Sequence, residues 1–318
     1  MAPPPARDGS TSERRTGGLD LGFVKTWFLT YWLAAWFAAI FVMRATVVLD
    51  GNHGFDARLY LAATRAWLDG QEPWITLMNQ QFAAPPPTLL PMVPFALLPE
   101  DVGVGTLMVL AAVGVVVTVR LLRLPWYWLL FPPFLDAVVS GNPQAMLVPL
   151  ILVGLGPIAA FLKIYALVPM VLTLRWRALV VTGAALLVTA PILPWQSYLE
   201  HLPELSASLL RQSDGGLSAT AIPILIPVAI VALVFCGREK AAWLAVPVAW
   251  PSTQWYYSTL AVPALHSAPI AAALMAVNVP GATAAAAVVI AWQQRLFTFD
   301  RLRSAWDPRT ARAGTSPA

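Results

Sequence analysis

The sequence predicts an all-α polytopic membrane protein, and three observations carry that expectation. Hydrophobic residues make up 58% of the 318 positions. Only 11% are charged, against about a quarter in a soluble domain. The apolar residues also gather in runs near the roughly 20 residues that an α-helix needs to cross about 30 Å of hydrocarbon. The same composition excludes whole classes. Three histidines and one cysteine are too few for a disulfide framework, a Cys/His zinc cluster or an iron–sulfur protein. There is no P-loop and no Gly-x-Gly-x-x-Gly, so nucleotide hydrolysis and a soluble-type nucleotide-sugar site are unsupported. No Asp-x-Asp pair is present, so the chemistry considered below calls for no metal and no cofactor, and nothing points to nucleic acid.

Residues 1–26 read as a disordered polar tail rich in Pro, Gly and Ser. The tail lacks a convincing small-x-small cleavage site, so it reads with the helix that follows as a signal anchor. The clearest spans are 27–49, 102–122, 177–194 and 219–236, while the runs 125–141, 143–174, 241–262 and 263–294 are interrupted by Pro, Gly or polar residues. This gives about ten membrane-embedded segments in a domain over 27–294, followed by a basic tail over 295–318. The runs 85–98, 143–155 and 282–294, each about 13 or 14 residues, call for partial, re-entrant or tilted passages.

Charge sets the orientation. Nine of the twenty basic residues lie at the two ends: Arg7, Arg14, Arg15, Lys25, Arg295, Arg301, Arg303, Arg309 and Arg312. The positive-inside rule therefore places both termini in the cytoplasm of a multi-pass cell-membrane protein. The acidic or balanced loops 50–84 and 195–218 then face outward, and Glu100-Asp101 reads as a charged loop. Twenty-nine prolines, many in clusters with glycine inside apolar runs, suggest a hollowed bundle, because irregular backbone at membrane depth survives only where protein or a water-filled cavity covers it.

From Asp56 onward the first outer loop is helical. Phe55, Leu59, Ala62, Ala63, Ala66 and Trp67 recur at three- and four-residue steps, giving an amphipathic helix suited to the membrane interface, and Gly70 suits its stop. Asp56 fits the cap or first turn of that helix, where a carboxylate satisfies free N–H groups. It equally fits a general base, and Tyr60 stands one turn on. Lys163 lies in the apolar stretch 159–169, where an unpaired ammonium costs about 2.5–3.5 kcal/mol. It either faces a cavity or snorkels to an interface. Asp136, the other intramembrane charge, either pairs with Lys163 or lines the same pocket.

Taken in order, Asp56-x-x-x-Tyr60, Gly70-x-x-Pro73, Phe82 before Pro85-Pro86, Gly141-Asn142-Pro143-Gln144, Lys163 with Pro169, and Gln254-Trp255-Tyr256-Tyr257 resemble the polyprenol-phosphate-mannose-dependent mannosyltransferases. These are grouped as glycosyltransferase family 87 within the GT-C fold. The resemblance runs from about residue 27 to 275 and implies a GT-C-like bundle. It further implies inverting transfer of mannose from a polyprenyl-phosphate donor to a hydroxyl of a lipid or glycan acceptor at the outer face. In that reading Asp56 is the base, and Lys163, Arg58 and Arg65 are candidates to meet the donor phosphate. Tyr60, Asn142, Gln144, Gln254, Trp255, Tyr256 and Tyr257 border the sugar. A plain turn explains the Gly-Asn-Pro-Gln tetrapeptide equally well, and an interfacial aromatic belt explains the Trp and Tyr residues. Many members of the family carry a histidine beside those aromatics, where this chain has Tyr256 and Tyr257; His53 is a conceivable substitute. The competing function is a lipid or small-solute transporter, or a membrane scaffold. Transporters often show internal repeats, and none is evident between the two halves.

Overall fold

The computed structural model describes residues 21–49, 53–77, 80–212, 216–295 and 299–307. The expectations for residues 1–20 and 308–318 of the tails lie outside them. The chain opens with α1 (Leu21–Leu49), enters α2 (Phe55–Leu68), and forms a hairpin of β1 (Thr76–Leu77) and β2 (Gln80–Gln81). It continues through α3 (Leu89–Ala96) and α4 (Glu100–Leu121) to α5 (Pro132–Ser140), α6 (Gln144–Leu152), α7 (Gly156–Leu162) and α8 (Leu167–Leu172). Next come α9 (Trp176–Thr189), α10 (Trp195–Gln212), α11 (Leu225–Phe235) and α12 (Arg238–Ala249). A 3-10 stretch, Trp255–Ala261, leads to α13 (Val262–Leu265), α14 (Pro269–Met275), α15 (Ala282–Gln294) and α16 (Phe299–Trp306). Among the described residues the all-α expectation therefore holds but for the short hairpin. Two boundaries move: residues 21–26 belong to α1, and α16 lies within the expected basic tail.

Among the described residues, α4 is long and apolar enough to cross a membrane. Counting the bent pairs α5–α6 (109°) and α9–α10 (98°) as broken spans brings the number to three. Most of the helices after α4 are shorter than the hydropathy runs suggest. Pro94, Pro149 and Pro247 stand inside α3, α6 and α12, where a proline removes a backbone donor and crowds the preceding turn. The 13 residues of α15 rise only about 20 Å. Glu100 and Asp101 are not a loop; they form the first turn of α4, where carboxylates meet the positive end of the helix dipole, and Arg120 occupies the last turn.

The core is built from close helix approaches. On α1, Leu33, Phe37 and Ile40 form a buried stripe, with Phe37 edge-on to Trp128 at 5.3 Å. At Gly114 of α4, a Cβ would lie 2.8 Å from the Ala145 carbonyl oxygen, so α4 and α6 meet backbone to backbone. Arg44 of α1 grips Asp136 of α5 with two bonds, 2.8 and 3.2 Å. This overturns the Asp136–Lys163 pairing, because α5 turns Asp136 toward α1.

The α5–α6 bend is made by Gly141-Asn142-Pro143. Gly141 is left-handed (φ +68°), and a Cβ there would sit 2.8 Å from the Ala57 Cβ. An L side chain is therefore both strained and in collision with α2. Gly141→Ala is expected to destabilise the protein by about 1–3 kcal/mol, read as a lower unfolding midpoint in detergent.

Candidate functional site

Helix α2 begins with Gly54 in the left-handed region, and the Gly54 N–H donates to the Val139 carbonyl of α5 at 2.8 Å. Its end is the one the sequence indicates. Gly70 is left-handed, and the Gln71 N–H closes on the Ala66 carbonyl at 2.8 Å, satisfying an end-of-helix carbonyl. The helix is packed into the protein along most of its length: Asp56, Ala57, Leu59, Tyr60, Leu61, Ala63 and Thr64 are all buried, against α3 and α4.

Asp56 stands in the first turn of α2 without capping it. Its Oδ2 accepts from Asn142 Nδ2 of the α5–α6 bend at 2.9 Å. Tyr60, one turn on, accepts at its hydroxyl from Lys163 Nζ, and the ammonium lies 4.9 Å from the centre of the Tyr60 ring. Lys163 itself occupies the extended break that ends α7. Among the described residues no carboxylate lies within salt-bridge distance of it, because Asp136 is taken by Arg44. Asp56 and Lys163 are 8% and 7% exposed, so each is a charge-bearing group sheltered from bulk water. Burial pushes the Asp56 carboxyl above the usual aspartate range; the Asn142 bond and the Lys163 charge pull against that shift without cancelling it. Burial likewise raises the Tyr60 phenol well above its usual value.

These groups line a cavity of ≈ 210 Å³. Two aromatic walls enclose it. On one side Tyr60 meets Phe82 edge-on (5.4 Å), Phe82 stacks on Trp74, and Trp74 leans on Tyr198 (5.2 Å). On the other, Tyr256 stacks on Tyr257 (5.3 Å), and Tyr165 packs between Tyr257 (5.0 Å) and Trp250 (5.6 Å). Gln254 and the left-handed Ser252 (φ +55°) complete the second wall. Helix α10 crosses the rim, contributing Tyr198 and Leu209. It is docked by the Trp74 indole to Ser197 Oγ (2.8 Å), by Ser197 to Glu72 (3.0 Å), and by His201 to Glu72 (3.3 Å).

Of the residues singled out from the sequence, Asp56, Tyr60, Lys163, Gln254, Tyr256 and Tyr257 meet at this cavity. Others do not. Arg58 bonds the His53 carbonyl and pairs with Glu100 (3.4 Å), while Arg65 bonds the carbonyls of Ala96 (2.9 Å) and Leu98 (3.0 Å). Both therefore lie away from the cavity, because a helix turns about 100° per residue and sets them on the face opposite Asp56. Trp255 is also outside: its indole donates to the Met275 carbonyl (3.2 Å), and the Arg44 guanidinium covers its ring (5.4 Å). Asn142 and Gln144, both 0% exposed, lie behind the lining. Gln144 Oε1 accepts from the Tyr165 hydroxyl, and its Nε2 has no partner among the described residues. His53 is exposed and not at the cavity.

Sequence reasoning misses several lining residues, among them Gln80, Gln81, Tyr165 and Trp250. Tyr165 stands two positions after the lysine of an apolar run, and that placement is the signal that could have found it. Trp250 precedes Pro251 and resembles any belt tryptophan.

Comparison of the chain with protein-family models, with curated proteins and with solved structures finds no match.

Proposed function

We propose that the protein is a multi-pass membrane glycosyltransferase that moves a sugar, best read as mannose, from a polyprenyl-phosphate donor to an acceptor hydroxyl at the outer face. One observation carries this reading: a buried carboxylate and a buried ammonium that no carboxylate among the described residues reaches within salt-bridge distance line one small cavity between aromatic walls. A sugar ring matches such walls, with apolar faces for the rings and hydroxyls for Gln254 and the tyrosines. Lys163 supplies positive charge for a phosphate. The broken apolar helices around the cavity give the polyprenyl chain a place in the membrane.

The reaction balances on these groups. The acceptor oxygen attacks the anomeric carbon of the donor sugar as the bond from that carbon to the phosphate oxygen breaks. The proton of the acceptor passes to Asp56, and the electron pair of the broken bond stays with polyprenyl phosphate. Negative charge grows on the departing oxygen, and a pre-positioned ammonium lowers the barrier there. Attack opposite the leaving group inverts the anomeric configuration.

The test uses membranes carrying the full-length protein, supplied with radiolabelled polyprenyl-phosphate mannose, with label followed into new lipid or polymer product. Label transfer supports the reading. No transfer from mannose or other polyprenyl-phosphate sugars overturns it and leaves the transporter or scaffold.

A pH dependence follows. The base works only when ionised, and Asp56 releases its proton above the ordinary carboxylate value of about 4. The rate of transfer should therefore fall as pH falls through that raised value. A pH profile of kcat/KM checks this, and an acidic limb at or below the ordinary aspartate range contradicts the assignment of the base.

A further inference from the structure

Two of the hydrogen bonds of Asn142, those to Gln144 and Asp56, fix each other; its side chain also meets Tyr256. The backbone N–H of Gln144 can only donate, so the atom it meets at 2.9 Å is Asn142 Oδ1. The other end of the carboxamide is then Nδ2, a donor, and Asp56 Oδ2 at 2.9 Å must accept. A side-chain amide is ordinarily ambiguous between its two orientations. Here the backbone of the α5–α6 bend removes the ambiguity, independently of the carboxylate that the amide serves.

The other groups facing Asp56 have no such constraint. They are Lys163 from the end of α7, Asp136 and Ser140 from α5, Tyr60 from α2, and Tyr256 and Tyr257 from the 3-10 stretch. Hydroxyls rotate, the Lys163 ammonium is turned to Tyr60, and Asp136 is held by Arg44. Asn142 is also fully buried and outside the cavity lining, so it is not placed to touch a sugar.

We infer that Asn142 is a positioning residue for Asp56: it holds Oδ2 as an acceptor and so directs any proton taken up to Oδ1. The inference rests on the reading of Asp56 as the base. It gives the carboxylate one committed oxygen and one working oxygen, and it couples the geometry of the base to the α5–α6 bend.

Two substitutions separate this role from mere packing. Asn142→Asp keeps the size and the acceptor for the Gln144 N–H but sets a second carboxylate against Asp56, so the two share a proton and one titration is driven upward. Asn142→Ser keeps an acceptor near the Gln144 N–H and is too short to serve Asp56. The experiment is an infrared pH titration of the full-length protein in lipid nanodiscs, with the Asp56 carboxyl band identified by its loss in Asp56→Asn. Both variants should raise the Asp56 midpoint by about one pH unit or more, with Asn142→Asp the larger, because a hydrogen bond favouring the charged form is lost or replaced by repulsion. The acidic limb of transfer from polyprenyl-phosphate mannose should move to higher pH by the same amount. A midpoint unmoved in both variants overturns the inference, even if the yield of folded protein falls. If the midpoints move while the wild type transfers no sugar, the proposed function fails and the orienting role of Asn142 stands.

Discussion

Asp56→Asn is expected to lower kcat for sugar transfer by about 10²–10⁴-fold without lowering the thermal stability of the protein. The asparagine has the same shape as the aspartate, and its Oδ1 can still accept from Asn142 Nδ2, so the link between α2 and the α5–α6 bend survives. What disappears is the only carboxylate lining the cavity among the described residues, and with it the group proposed to remove the acceptor proton. The stability half of the expectation follows from the raised Asp56 titration. A carboxyl whose pKa is higher in the folded than in the unfolded state makes the ionised fold less favourable, and asparagine never ionises. The variant should therefore match or exceed the wild-type unfolding midpoint at neutral pH. The difference should open as pH rises from the unfolded to the folded pKa, and close again in acid. Transfer assays and thermal unfolding across pH in detergent read both halves. Wild-type transfer by Asp56→Asn would remove Asp56 as the base, whereas loss of transfer with a collapsed midpoint would make its role structural.

The second large effect is at Lys163. Lys163→Met keeps most of the side-chain length, deletes the charge, and is expected to reduce transfer by about 10²–10³-fold, the range measured when one donor to a developing oxyanion is removed. Donor affinity should fall as well, because in the proposed reaction the ammonium meets phosphate in the ground state and more strongly as the sugar departs. By contrast, Arg58→Gln and Arg65→Gln should leave donor binding close to wild type, since both guanidiniums are engaged by Glu100 and backbone carbonyls away from the cavity. Binding of radiolabelled polyprenyl-phosphate mannose to the three variants in detergent ranks them. Full donor affinity in Lys163→Met, or an equal loss in the arginine variants, would refute Lys163 as the phosphate partner.

The same two arginines mark how far the site is legible in the sequence. With residues 56–68 helical, about 100° per residue places Tyr60 beside Asp56, and Arg58 and Arg65 about 160–180° away. The helical periodicity of α2 thus already contains the reason to set those two cations aside. Trp255 differs. Nothing in Gln254-Trp255-Tyr256-Tyr257 says which of three adjacent aromatics turns inward, because that depends on the 3-10 geometry of Trp255–Ala261. The structure sends Trp255 to Arg44 and Met275 and the two tyrosines to the cavity.

Sequence alone was sufficient for the helical class, the apolar segments, the start and stop of α2, and the break at Gly141-Asn142-Pro143. All of these are local: hydrophobicity accumulates over one run, glycine permits a positive φ, and proline interrupts a backbone ladder within a few residues of itself. The choice of partners came from the packed fold. Asp136 belongs to Arg44, 92 positions away, which leaves Lys163 to the cavity and to Tyr60, 103 positions away. Asn142 serves Asp56 across 86 positions. Ion pairs and hydrogen bonds over such separations depend on how helices cross and which faces they turn to one another. A run of residues cannot encode that separately from the packing of the rest of the chain.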